Sequence, residues 1–229
     1  MAYSLITSTL AKSTNSTDVT TPGVDTTGAN LIVVGTFSLY SSGDGGVLSD
    51  SKSNTPYVTT EDAVSGRQLF MSYFFNPSVG ASHTWTFGSG CLFPMILVAA
   101  FYEAVTSPLD DQSSATTTSS GTTLQTGQVD PTEDNELLVT VVGSTDVSAT
   151  GVYAIDGGFT KLSDNTGTSG AAYSGSMAYL IQTSAASANP TWTVEAGHVV
   201  ATRIKTFKGT AAAVVNNYGK LIFRNREYV

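Results

Sequence analysis

One cysteine, two histidines and a charged share of 12 % leave this 229-residue sequence short of the material most site chemistry is built from. Cys91 alone permits no intrachain disulfide and no cysteine metal cage, and between Gly90 and Leu92-Phe93 it reads as a buried, inert thiol. A zinc site needs two or three histidines at ligand spacing, whereas His83 and His198 lie far apart in the chain. They read as ordinary surface or core histidines. No Ser/His/Asp or Cys/His spacing of a nucleophilic triad is present. No run reaches the roughly 18 apolar residues of a membrane span. The longest, Cys91 to Tyr102, is too short, so no membrane partner is expected. The start, Met1-Ala2-Tyr3-Ser4-Leu5-Ile6, lacks the basic and apolar regions of a standard secretory signal. With a net charge of −8 and a pI near 4.5, the chain lacks the basic field that nucleic-acid binding requires.

Apolar residues make up 41 %, enough for a sizeable core at this length. The polar surface must then come from Thr, Ser, Asn and Gly, as it does where proteins pack into assemblies. The strong segments are β-like. Ala29 to Tyr40 is β-branched and aromatic and reads as a buried central strand. Arg67 to Asn76 follows, then Ser82 to Phe87, whose alternation puts Trp85 and Phe87 on one face. Leu92 to Glu103 is the fourth strand; Pro94 and its aromatics favour strand over helix. Asn135 to Gly143, Met177 to Gln182, Thr191 to Val194 and Val199 to Phe207 repeat the series. No amphipathic helix precedes residue 209. Residues 1–28 read as an arm or short edge strand. Residues 105–134 are a Ser/Thr-rich connection, in which Thr122 to Val129 pairs as an edge strand.

The halves resemble each other. Asn30-Leu31 answers to Asn135-Glu136-Leu137, Met71 to Met177, Trp85 to Trp192 and Phe101 to Phe207, at offsets of 105 to 107 residues. Units 29–104 and 135–208 are therefore expected to form one eight-strand sandwich over residues 29–208. Trp85, Trp192, Phe101 and Phe207 are its core anchors, with both indoles in one shared interior.

The segments Gly28 to Val34, Thr84-Trp85-Thr86-Phe87, Tyr102 to Leu109, Ser120 to Thr126 and Asn135 to Leu138 resemble jelly-roll β-sandwich domains of bacteriophage structural proteins and bacterial surface proteins. The resemblance covers roughly residues 20–208. It implies an all-β, non-enzymatic virion protein: a capsid decoration, or a tail or fibre attachment. Such a protein assembles in the host cytoplasm and contacts copies of itself and other virion proteins. It implies no cofactor and no catalytic set.

The repeat sets Leu97 against Arg203 and Ala99 against Lys205. The second-half strand is thus expected to turn its cations to water. The apolar face around Leu97 and Ala99 is expected to be covered by a terminal arm or a neighbouring subunit. The basic tail 209–229 supplies a candidate arm, with Lys220, Leu221, Phe223, Arg224, Arg226 and Tyr228 as interface residues. It docks on a partner or packs on its own sandwich. Other readings are a carbohydrate-binding or adhesion module taking a host-surface glycan on Tyr40, Tyr57 or Tyr73, and a jelly-roll glycosidase using Glu103 or Glu195. Asp110-Asp111 and Glu133-Asp134 read as solvated loop charge. Ser42 to Gly46 and Asp156-Gly157-Gly158 read as turns.

Overall fold

The computed structural model describes residues 3–13, 18–40, 46–57, 61–64, 66–88, 90–103, 105, 107–145, 152–165, 173–194 and 197–209. Their regular structure is all β, in two runs of eight strands. The first run is β1 (Ser4–Lys12), β2 (Asp18–Thr20), β3 (Leu31–Tyr40), β4 (Val47–Asp50), β5 (Glu61–Val64), β6 (Arg67–Phe75), β7 (Trp85–Gly88) and β8 (Cys91–Tyr102). The second is β9 (Leu109–Thr116), β10 (Thr123–Gln125), β11 (Leu137–Thr145), β12 (Tyr153–Ile155), β13 (Thr160–Asn165), β14 (Tyr173–Ile181), β15 (Thr191–Val194) and β16 (His198–Phe207).

Each run makes one five-stranded and one three-stranded antiparallel sheet. The first pair is β1-β8-β3-β6-β5 and β2-β7-β4; the second is β9-β16-β11-β14-β13 and β10-β15-β12. Adding eight to every label turns the first pair into the second. The register follows suit. Leu31 stands opposite Phe75 and Phe101, and adding 106 to each number gives Leu137 opposite Ile181 and Phe207. Even the ladder irregularity recurs, at Phe37/Leu39 between β3 and β8 and at Gly143/Ser144 between β11 and β16.

The sheets stack in four layers, three-five-five-three. β3 shows why its sequence is apolar almost throughout. Leu31, Val33 and Phe37 face the other half's five-stranded sheet, while Ile32 and Val34 face the three-stranded sheet of their own half, with Trp85 and Phe87. A strand buried on both faces needs no polar alternation. β11 divides likewise: Leu137, Val139 and Val141 face the centre, while Val142 packs with Trp192.

The two five-stranded sheets meet through shape. A Cβ on Gly35 would stand 2.6 Å from Val141 Cγ1, and one on Gly143 would run into the Phe37 ring. Val141 is the residue that answers to Gly35 in the repeat, and Gly143 the one that answers to Phe37. Each position thus meets its own counterpart, the geometry of a twofold axis. At both meetings a glycine receives a larger side chain.

Three sequence expectations are corrected. The described residues form sixteen strands, where about eight were expected, and each half already makes two sheets. The strands missing from the sequence reading, β4, β5, β9, β12 and β13, are edge strands, mostly short and polar, without a continuous apolar pattern. Residues 1–28 supply β1 and β2, which pair with β8 and β7, and residues 105–134 supply β9 as well as the expected β10. Trp85 and Trp192, each fully buried, do not share an interior. Each lies between the two sheets of its own half, with the central layer between them.

Gly35→Ala should destabilise the chain by about 1–3 kcal/mol, the range for overpacking. Adding Val141→Ala should cost less than the two single changes together, because the truncation reopens the space. Urea denaturation of the two single variants and the double measures this coupling; strict additivity would contradict the contact.

Candidate functional site

The face holding Leu97 and Ala99 is indeed covered, but by the chain itself. Both residues are buried in the central cluster with Leu137, Val139 and Val141. Arg203 and Lys205, expected at water, are buried too, because β16 turns that face toward the first half. Arg203 Nε donates to Asp62 Oδ2 at 2.6 Å, and Ser114 Oγ donates to Asp62 Oδ1 at 2.8 Å. This ties β5 of one half to β9 and β16 of the other. Lys205 Nζ lies 5.6 Å from the Tyr73 ring centroid and has no hydrogen-bond partner among the described residues. Burial, then the neighbouring Arg203 charge, pushes the Lys205 ammonium down to about 8, against a weaker upward pull from Asp62.

His83 sits where β7 begins and is fully buried. Its Nε2 donates to Asp50 Oδ2 at 2.9 Å, its Nδ1 lies 3.0 Å from Thr26 Oγ1, and its ring stacks on Trp85 at 4.0 Å. An Asp, a His and a Thr are thus in line, but as a tie. Asp50 also accepts from the Lys52 and Asn54 amides and from the Asn54 side chain, and Thr26 Oγ1 accepts from the Gly80 amide. With His83 and Thr26 wholly enclosed, no substrate carbonyl reaches the hydroxyl.

A second cluster lies where β9 begins. Thr132 donates both its amide and its hydroxyl to Asp110, and Lys208 Nζ stands 3.0 Å from Asp110 Oδ1. The Thr132 and Glu133 amides donate to Glu136 Oε1 at 3.0 and 2.9 Å. Burial and the adjacent Asp110 push Glu136 up to about 7. Against the upward push of burial, the Thr132 amide and Lys208 hold Asp110 below its ordinary value. The two carboxyls therefore keep one proton between them below neutrality. Asp110, read as solvated loop charge, is instead in β9 and holds the 132–136 turn. Tyr3 donates to the Lys208 carbonyl at 2.7 Å; burial first, and then Glu136 and Glu103, raise its phenol.

The remaining named residues disperse. Phe101 and Phe207 are fully buried in the central cluster. Trp192 Nε1 donates to Thr140 Oγ1 at 2.9 Å, whereas Trp85, with Val34 at the position answering to Thr140, has His83 against its ring instead. Cys91 is buried, and burial raises its thiol. Glu103 is buried just past the end of β8. Glu195, the Tyr40 side chain and the tail residues Lys220, Leu221, Phe223, Arg224, Arg226 and Tyr228 lie outside the described residues. Tyr57 is exposed and stacks on the buried Tyr73 at 5.9 Å.

Clefts open on the surface, and two are lined by described residues. One of about 230 Å³ brings Arg67 together with His198, Thr145 and the hydroxyls of residues 117–120. The other, of about 330 Å³, lies in the second half between Asp156, Phe159, Gln182 and Asn189. Sequence reasoning missed both, because each gathers residues from distant strands. Among the described residues no group of three or more His, Cys, Asp or Glu is placed to hold a metal ion, and no helix is long and apolar enough to cross a membrane. The chain matches no family model, no curated protein and no solved structure.

Two measurements test these contacts. Lys205 titrates lower folded than unfolded, so the unfolded chain holds more protons between about pH 8 and 10.5. Stability should climb across that window by up to roughly 3 kcal/mol, with the full penalty below it. Lys205→Met should be more stable than the parent at pH 7 and flatten this rise; equal slopes would refute the account. Thr140→Val should cost about 1–3 kcal/mol by leaving the Trp192 N–H buried without its acceptor, read from thermal unfolding.

Proposed function

We propose that the chain is a non-enzymatic structural protein of a bacteriophage particle, a capsid decoration or a tail or fibre component, acting through contacts with copies of itself and other virion proteins. The observation that carries the reading is an edge presented twice. Among the described residues β4 and β12 each pair on one side only, and each half exposes a valine at the start of that edge, Val47 at 65 % and Val152 at 52 %. Open edges are suited to pairing with another chain. Neither strand carries a lysine or proline of its own, and on β12 the Tyr153 carbonyl is taken up by Lys161 Nζ at 2.6 Å. The buried ionisable groups agree with a structural role: Asp50, His83, Asp62, Arg203 and Asp110 all serve ties within the molecule.

We further infer an internal duplication of one jelly-roll-like unit. The identical strand orders, the shift of 106 between the five-stranded sheets and the paired ladder irregularities support it. In each half the first and last strands lie side by side, and the chain alternates between facing sheets except at the β5–β6 and β13–β14 hairpins, an arrangement akin to jelly rolls. Counterparts meeting across the central layer suggest that the ancestral unit paired as a twofold dimer.

Light scattering across a concentration series should show self-association of the parent. Val47→Lys with Val152→Lys should abolish it without lowering the melting temperature. A parent chain that stays monomeric at millimolar concentration and is absent from purified particles would sink the proposal.

A further inference from the structure

We infer that the cleft in the second half is a binding site for a single neutral sugar ring. The halves differ there in a telling way. In the first half, an isolated bridge joins Val24 to His83; in the second, the corresponding bridge joins Val129 to Ala188. His83 fills its corner with an imidazole held by Asp50 and Thr26. Beside it, Asn54 closes the neighbouring loop by exchanging hydrogen bonds with the Ser78 backbone. Ala188 leaves the equivalent corner with only a methyl group, and a cleft of about 330 Å³ opens beside it.

The lining suits a pyranose. Phe159, Leu180 and Pro190 supply an apolar wall, to which the C–H face of a sugar packs. Gln182 supplies a fixed acceptor. Its Nε2 donates to the Ala186 carbonyl at 2.9 Å, which pins the amide, while Oε1 is buried with no hydrogen-bond partner among the described residues. A buried carbonyl oxygen left unmatched is costly, and a small turn of the side chain toward the cleft would let a ligand hydroxyl satisfy it. Asp156 is held at the rim by the Thr191 amide, which donates to its Oδ1 at 2.7 Å. Asn189 adds an amide. None of the lining residues is basic, and Asp156 is acidic, so the cleft selects a neutral ring over a sugar acid. Its volume lies at the small end of the roughly 300–1,000 Å³ usual for small-ligand sites, room for one residue of a glycan. The site is independent of the assembly reading: a monomer would bind as an assembled copy does.

Saturation-transfer NMR on the full chain tests this with methyl glycosides of neutral hexoses and N-acetylhexosamines, and with methyl glucuronide as the anionic comparison. At least one neutral glycoside should bind and the glucuronide should not. Ala188→His, which restores the first-half filling, should abolish the signal with the melting temperature unchanged. Gln182→Met, which keeps the bulk and removes the acceptor, should weaken binding about tenfold, the equivalent of one hydrogen bond. Absence of any neutral binder, equal binding of the glucuronide, or a signal that survives both variants would overturn the inference. Should Ala188→His fail to fold, Gln182→Met alone decides.

Discussion

The molecule depends on two sheets pressed face to face with no room to spare. Gly35 receives Val141, Gly143 receives Phe37, and Gly175 receives the end of Met95. Side chains of ordinary size on both sides would hold the sheets apart and void the centre. Glycine on both sides would leave cavities. The halves share one topology, so the asymmetry must lie in side chains. Large and small residues are exchanged between counterpart positions, which makes the halves complementary rather than interchangeable.

That closure explains the buried charge. Leu97 and Ala99 on β8 correspond to Arg203 and Lys205 on β16. A twofold arrangement turns both strands toward the centre, so the cations cannot reach water as they would on an outer face. Arg203 is compensated by Asp62 from the other half, a buried pair whose geometry also sets how the two sheets align. Lys205 has the Tyr73 ring and only a weak pull from Asp62 among the described residues, and its lowered proton affinity is the physical trace of that incomplete compensation. The same divergence operates on the outer layers. His83 with Asp50 seals one corner, while Ala188 leaves its counterpart open.

Much of the architecture was legible in the sequence. The doubly buried strands β3, β8 and β11 announce themselves as largely apolar runs, and β16 by its match to β8 through the anchors Trp85/Trp192 and Phe101/Phe207. The edge strands were not legible, since a strand with one open side carries little hydrophobic signal. Missing them halved the strand count and led to the expectation that the two units together form one eight-strand sandwich. From this followed the wrong shared interior for the two tryptophans and the wrong cover for Leu97 and Ala99. The clefts had no sequence signal of any kind. Arg67 and His198, or Asp156 and Gln182, are brought together only by folding.

By itself, the sequence determined the class: an all-β chain whose strong strands recur at a spacing near 106 residues. Those properties are local or periodic, and composition and pattern record them directly. Only the tertiary structure decided that each copy is a complete two-sheet unit, that the copies meet about a twofold axis, and which charges are buried. These depend on which faces meet, and facing is a long-range matter that residue order does not encode position by position.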